Sequence, residues 1–269
     1  MKLEGKTVVV TGAGSGIGRA TALAFSAQGA RIAACDVDQV RLDSLAAELG
    51  PRALVVRKVD VADRAQMSAF AGEVHAAAGA ADVVVNNAGV AVSGTFLETS
   101  LDDWDWLLGV NLRGVVHGCH FFARPMVERG APGQIINIAS ILGIFAAANV
   151  TAYVASKFAV LGFTRSLRAE LAGHRIGVTA ICPGMIATSI VHDGRMAAGL
   201  QSRKDRIVET FRTRGIDPAR VAAVILDAVR TNPAVRTVGR DAWAVHQLTR
   251  MMPHDALQKL GDRLQRRYG

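Results

Sequence analysis

The stretch KTVVVTGAGSGIG, residues 6–18, decides the fold. Its first part, KTVVVT at 6–11, is a short apolar run rich in β-branched residues, the pattern of a buried first strand. Gly12, Gly16 and Gly18 then follow in GxxxGxG spacing, and a helical pattern covers 17–28. Glycines let a chain turn tightly and approach a pyrophosphate closely. The helix behind them offers free N–H groups and the positive end of its dipole. A glycine triplet alone is weak; between an apolar strand and a helix it is far more specific. Gly12, Ser15, Gly16, Ile17 and Gly18 are therefore candidate dinucleotide-binding residues.

Working outward, the alternation continues. Strands are predicted at 31–36 (RIAACD), 52–57, within ADVVVNNAG at 81–89, at 133–140 (GQIINIAS), 176–184 (IGVTAICPG) and 235–239 (VRTVG). Helices are predicted at 39–49, 64–78, 102–128, 151–172 and 218–230. Strands separated by helices of this size imply βαβ units, right-handed crossovers and a mainly parallel, doubly wound sheet. The fold class is α/β, a Rossmann fold. With no obvious linker, residues 1–269 read as one domain. Ligands belong beyond the carboxyl ends of the strands, where strand order reverses.

The residues at those ends carry the chemistry. Asp36 closes the second strand, placed to accept from the adenosine ribose hydroxyls and to repel a 2′-phosphate. Ser15 and Val37 bring no positive charge to offset it; Arg19 supplies one or faces solvent. NAD is thus the expected cofactor. Asp60 and Val61 follow the third strand and meet the adenine edge, unless Asp60 or Asp63 caps the next helix. Asn87, Ala88 and Gly89 close the fourth strand and leave room for a flat ring or ribose. Pro183 and Gly184 turn the chain after 176–184, where Ile186 backbone and the Thr188 hydroxyl are candidates to hold a carboxamide.

Tyr153 and Lys157 stand one helical turn apart in YVASK, with Ser140 upstream. A phenol is a poor base at neutral pH, and a neighbouring positive charge favours its phenolate. In this reading Tyr153 is general acid/base on an alcohol or ketone oxygen, Ser140 orients that oxygen, and Lys157 supports both the phenolate and the nicotinamide ribose. Asn111 sits inside the apolar helix at GVNLRG. A buried amide needs partners, and it is expected either to bend the helix and hold a water leading to Lys157 or only to satisfy local backbone. No metal is expected; His117, His120 and His174 lack a ligand pattern.

In order along residues 4–240, TGAGSGIG, Asp36, NNAG, Asn111, Ser140, YVASK and PGMIAT resemble the motif series of classical short-chain dehydrogenases/reductases. The resemblance implies an Asn111, Ser140, Tyr153, Lys157 tetrad, a seven-stranded doubly wound sheet, a homodimer or homotetramer, and NAD preference from Asp36. The tail departs from the family pattern. Residues 240–269 continue past the last strand with Trp243, Leu248, Met251, Met252, Leu257, Leu260 and Leu264 spaced as amphipathic helices. They are predicted to pack on the cleft, on a partner subunit or on a membrane surface.

Composition sets further bounds. Half of the 269 residues are apolar, which argues against disorder. Cys35, Cys119 and Cys182 are widely spaced, without CxxC, and read as buried thiols rather than a disulfide framework or zinc site. No long uncharged apolar run or secretory signal is recognised, so a cytoplasmic location is expected. The charge of +8 concentrates in 195–220 and 250–269 without a nucleic-acid motif, so nucleic acid is not an expected partner. A solvated basic surface competes with attraction of an anionic carrier or membrane. Residues 188–216, with Gly194, Gly199 and Gly215, are predicted to form a substrate lid or a surface helix pair.

For substrate, Ile141, Leu142, Gly143, Ile144 and Phe145 form one predicted wall, Val92 and Phe96 a second, and Met185, Ile190 and Val191 a third. These residues suit a small hydrophobic secondary alcohol or ketone. Two alternatives remain: an NADP(H)-dependent reductase of a carrier-bound 3-oxoacyl chain, and a non-catalytic nucleotide-binding scaffold, whose signature would be loss of Tyr153 or Lys157.

Overall fold

The computed structural model describes residues 1–251. Seven parallel strands form the main sheet: β1 (Thr7–Thr11), β2 (Arg31–Asp36), β3 (Ala53–Lys58), β4 (Val83–Asn86), β5 (Gly133–Ile138), β6 (Ile176–Pro183) and β7 (Val235–Val238). Their spatial order is β3-β2-β1-β4-β5-β6-β7. The chain therefore winds outward from β1 in one direction, returns, and winds outward from β4 in the other. That reversal opens a crevice at the carboxyl ends of β1 and β4.

β1, β4, β5 and β6 are buried along their whole length, as expected of parallel strands covered on both faces. Alternate side chains enter different layers. Val9 packs with Phe70 of α3 (Arg64–Ala78), Phe122 of α5 (Gly114–Glu128) and Val160 of α6 (Thr151–Leu171). Val8 and Val10 pack on the other face with Phe25 of α1 (Gly16–Ala27), Leu45 of α2 (Gln39–Leu49) and Ile225 of α9 (Pro218–Thr231). Three of these helices start on an acidic cap: Asp38 for α2, Asp63 for α3 and Asp217 for α9. The choice left open between Asp60 and Asp63 thus falls on Asp63, whose carboxylate accepts from Ala65 and Gln66.

The helix predicted at 102–128 is interrupted. α4 (Leu101–Leu108) passes through a π-helical turn, Gly109–Arg113, into α5. Asn111 lies within this turn; such turns recur at functional sites. The segment 188–216 also has structure. Arg195–Met196 pairs in parallel with Val92–Ser93, and α7 (Ala198–Gln201) and α8 (Lys204–Arg214) follow. Of the predicted extension 240–269, Arg240–Met251 is helix α10; Met252, Leu257, Leu260 and Leu264 lie outside the described residues. Among the described residues no helix is long and apolar enough to cross a membrane.

Candidate active site

A cleft of about 1130 Å³ runs along the carboxyl ends of the strands. At one end the β1–α1 turn brings Gly12, Ser15, Gly16 and Ile17 to its wall. Gly12 has φ +63, and a Cβ there would stand 2.7 Å from Ala88 Cα. Asn87 locks the two loops together, its side-chain amide donating to the carbonyls of Thr11 (2.9 Å) and Gly12 (3.0 Å). The Thr11 hydroxyl accepts from the backbone N–H of Asn87 and Ala88. Gly18 does not line the cleft; a Cβ there would strike the Gly12 carbonyl oxygen and the Asn87 amide. Its role is close packing of α1 on the turn.

Asp36 lines the cleft, and its carboxylate also shapes it. One oxygen accepts from Gly14 N–H at 2.9 Å and the other from Asp38 N–H at 3.0 Å. Gly14 escaped the sequence reading although it stands inside the glycine turn; a Cβ there would sit 2.9 Å from both Arg41 Cβ and Asp36 Cγ. Arg19, the one cation considered against Asp36, instead pairs with Glu48 of α2. Asp60, Val61, Ala88, Gly89, Pro183, Gly184, Met185, Ile186 and Thr188 all line the cleft.

At the other end β5 delivers Ser140, and α6 delivers Tyr153 and Lys157. The Ser140 hydroxyl accepts from Leu142 N–H at 3.1 Å and lines the cleft beside Tyr153. Lys157 is 3% exposed; its Nζ donates to the Ile138 carbonyl at 3.0 Å and stands 5.6 Å from the Tyr153 ring centre. Asn111 accepts from Val90 N–H (2.8 Å) and donates to Val90 O (3.0 Å) and Ser156 Oγ (3.1 Å). Both its N–H donors are spent on protein groups, so it pins the loop after β4 to α6. Its Oδ1 and Lys157 Nζ nevertheless flank one spot, 3.4 and 3.5 Å from where a Gly89 side chain would begin.

The charge balance differs from the sequence expectation. Burial pushes the Tyr153 phenol up to about 12, and the Ser140 hydrogen bond acts in the opposite direction. Burial pulls Lys157 down to about 8. Desolvation of the phenol therefore outweighs a lysine whose Nζ is directed to the Ile138 carbonyl. The neutral phenol, the general-acid form, dominates at neutral pH. The lysine shift also has a stability consequence. A base depressed in the fold binds its proton better in the unfolded chain, so stability rises with pH between about 8 and the ordinary 10.5. Relative to Lys157→Met, the wild type should gain roughly 2 kcal/mol between about pH 7 and about pH 9.5, read by urea unfolding. A pH-independent difference between the two proteins would contradict a depressed Lys157.

The substrate walls are placed only in part. Leu142 and Met185 line the cleft with Ser140 and Tyr153, as do Ile141, Ile190 and Val191. Val92 and Phe145 do not. The pairing of Val92–Ser93 with Arg195–Met196 turns Val92 into a small core with Leu107 and Ala152, leaving Ser93 on the cleft. The 3-10 turn Ile141–Gly143 presents Ile141 and Leu142, and the chain has left the wall by Phe145. Phe96 is an exposed surface residue. α8 adds Arg206, Ile207 and Phe211, and Arg203 just before it joins them; from sequence these belong only to the segment 188–216.

Beneath the site Asn86 donates to Asn137 Oδ1 (2.8 Å), and Asn137 to Thr164 Oγ1 (3.0 Å). This buried polar chain ties β4, β5 and α6 together. Cys35, Cys119 and Cys182 are buried free thiols, as expected. Among the described residues no His, Cys, Asp and Glu cluster is arranged to hold a metal.

The sequence profile described as short chain dehydrogenase matches residues 6–198. The chain belongs to the short-chain dehydrogenase family. The "probable oxidoreductase EphD" of Mycobacterium tuberculosis is 41% identical over 258 residues, covering 93% of this chain but 44% of EphD. The chain thus spans less than half the length of that relative. The D-threitol dehydrogenase of Mycolicibacterium smegmatis is 40% identical over 230 residues, covering 84% of this chain and 86% of that enzyme. Among solved structures, a short-chain dehydrogenase/reductase of Burkholderia phymatum in complex with NAD superposes with TM-score 0.85 at 28% identity, covering 92% and 94% of the two chains. The seven-stranded parallel sheet matches the architecture of these short-chain dehydrogenase structures.

Proposed function

We propose that the protein is an NAD(H)-dependent dehydrogenase interconverting a hydrophobic secondary alcohol and its ketone, with Tyr153 as general acid/base. The observation that carries this reading is the single cleft. It joins the glycine turn and Asp36 to Ser140, Tyr153 and Lys157, and its outer walls are largely apolar. The residues fit a dinucleotide. Gly12, Ser15, Gly16 and Ile17 line the cleft where α1 begins, and buried Lys157 has one protein acceptor for three N–H donors.

In this reading Ser15, Gly16 and Ile17 hold the pyrophosphate at the α1 N-terminus, and Asp36 accepts from the adenosine ribose. Asp60 and Val61 border the adenine; Asn87, Ala88 and Gly89 border the nicotinamide ribose beside Lys157. Pro183, Gly184, Ile186 and Thr188 border the carboxamide. When bound, the nicotinamide supplies the acceptor or donor of hydride. Tyr153 Oη takes the hydroxyl proton during oxidation and returns it during reduction. Ser140 Oγ holds the same oxygen and shares its developing charge. Asn111 fixes the Val90 backbone and α6, and so the placing of Lys157.

The name D-threitol dehydrogenase raises a polyol as substrate, but Leu142, Met185, Ile190, Ile207 and Phe211 offer it few hydrogen bonds. In a panel of alcohols and ketones with both cofactors, kcat/KM is expected to be highest for hydrophobic secondary alcohols with NAD. Turnover confined to polyols would overturn the substrate reading. A second reading, reduction of a carrier-bound 3-oxoacyl chain, is favoured by Arg203 and Arg206 at the cleft wall. A carrier preference that collapses with added salt would support it over the first.

A further inference from the structure

Arg41 and Asp193 meet across the adenosine end of the cleft although 152 residues separate them. Arg41 belongs to the first turn of α2, and Asp193 to the segment that leaves β6 over the pyrophosphate turn; both line the cleft with Asp36. Arg41 Nη1 lies 3.0 Å from Asp193 Oδ2, and Arg41 Nε lies 3.1 Å from Asp38 Oδ2. Asp193 is braced in turn by Ser189 Oγ at 2.6 Å and His192 Nδ1 at 2.9 Å. These hydrogen bonds and Arg41 hold its carboxyl at about 2, against the opposing effect of burial. Arg41 and Asp193 are about 39% and 37% exposed, and pairs of that kind contribute ~0–1 kcal/mol to stability. The interest of this one lies in its place.

Arg41 is the cation standing beside Asp36 where a cofactor's adenosine ribose would lie. A ribose 2′-phosphate would bring about two negative charges there and needs a guanidinium in reach. Here the guanidinium is already engaged by two carboxylates. Asp36, Asp38 and Asp193 against one Arg41 leave the neighbourhood negative.

We propose that Asp193 determines cofactor class jointly with Asp36, by occupying the Arg41 guanidinium that a 2′-phosphorylated cofactor would require. Asp36 repels the phosphate, and Asp193 withholds its ligand. Removing either residue alone leaves the other obstacle standing. Removing both frees the terminal nitrogens of Arg41 for a phosphate contact while Nε stays with Asp38. This rests on the reading that the cleft takes NAD.

The test is calorimetric Kd for NAD and NADP on the full chain, for wild type, Asp36→Ser, Asp193→Ala, the double variant, and the double variant with Arg41→Met. Thermal unfolding checks each protein, and Asp193→Asn replaces Asp193→Ala where the alanine protein does not fold. The expected result is that NADP affinity in the double variant exceeds the product of the two single gains by roughly tenfold or more. Arg41→Met should abolish that excess while changing NAD affinity much less. Additive single gains, or an excess that survives Arg41→Met, would overturn the proposal while leaving the NAD reading intact. A wild type that binds NADP more tightly than NAD would overturn both.

Discussion

Tyr153→Phe is expected to lower kcat on the order of 10²–10⁴-fold in both directions, with NAD affinity within about threefold of wild type. The phenol shares the cleft with Ser140, and phenylalanine keeps the ring packed against Leu107 and Ala152. The loss should appear in kcat and kcat/KM together, because the missing proton transfer belongs to the transition state. Burial that holds the phenol near 12 also gives a direction: the general-acid form prevails at neutral pH, and oxidation must wait for the phenolate. Rates of alcohol oxidation by the wild type should therefore rise more steeply with pH than rates of ketone reduction. Unchanged turnover in the variant would remove Tyr153 from the mechanism.

The second large effect is expected at Gly18, which does not itself line the cleft. Its missing Cβ is what allows α1 to lie against the Gly12 carbonyl and the Asn87 amide. Both of those groups belong to the seam between the β1 and β4 loops. Alanine would have to push the Gly12 backbone as well as the Asn87 side chain, and it would strain the two hydrogen bonds that Asn87 donates to Thr11 and Gly12. Gly18→Ala should cost roughly 3 kcal/mol of stability, read from the urea midpoint. It should also weaken NAD binding by about tenfold or more, since the phosphate-facing turn is displaced. A midpoint and an affinity equal to wild type would show that the seam tolerates the methyl.

These two residues also mark how far the sequence could be read. The sheet was legible because its strands are uninterrupted apolar runs and its helices are periodic; every predicted strand is present within a residue or two. The loop-end residues were legible because each follows directly on a strand whose direction the alternation fixes. What needed the structure depends on contacts distant in sequence. Val92 was assigned to the substrate wall, but the phase of a two-residue strand is set by pairing with Arg195–Met196, about a hundred residues on. Phe145 fell off the wall because a tight 3-10 turn spends its length before reaching it. Arg41 sits five residues past Asp36 with nothing local to single it out; only its contact with Asp193 does so. The upward direction of the Tyr153 shift needs the structure because desolvation is a property of packing, and spacing along a helix carries only the neighbouring charge.

The path of one hydrogen tests the proposed hydride transfer most directly. An alcohol selected from the hydrophobic panel, deuterated at its carbinol carbon, would be turned over with NAD and the cofactor product weighed by mass spectrometry. One deuterium is expected in the reduced nicotinamide for every alcohol oxidised by the wild type, and neither product with Tyr153→Phe above its residual rate. Alcohol consumed without label reaching the cofactor would contradict that transfer.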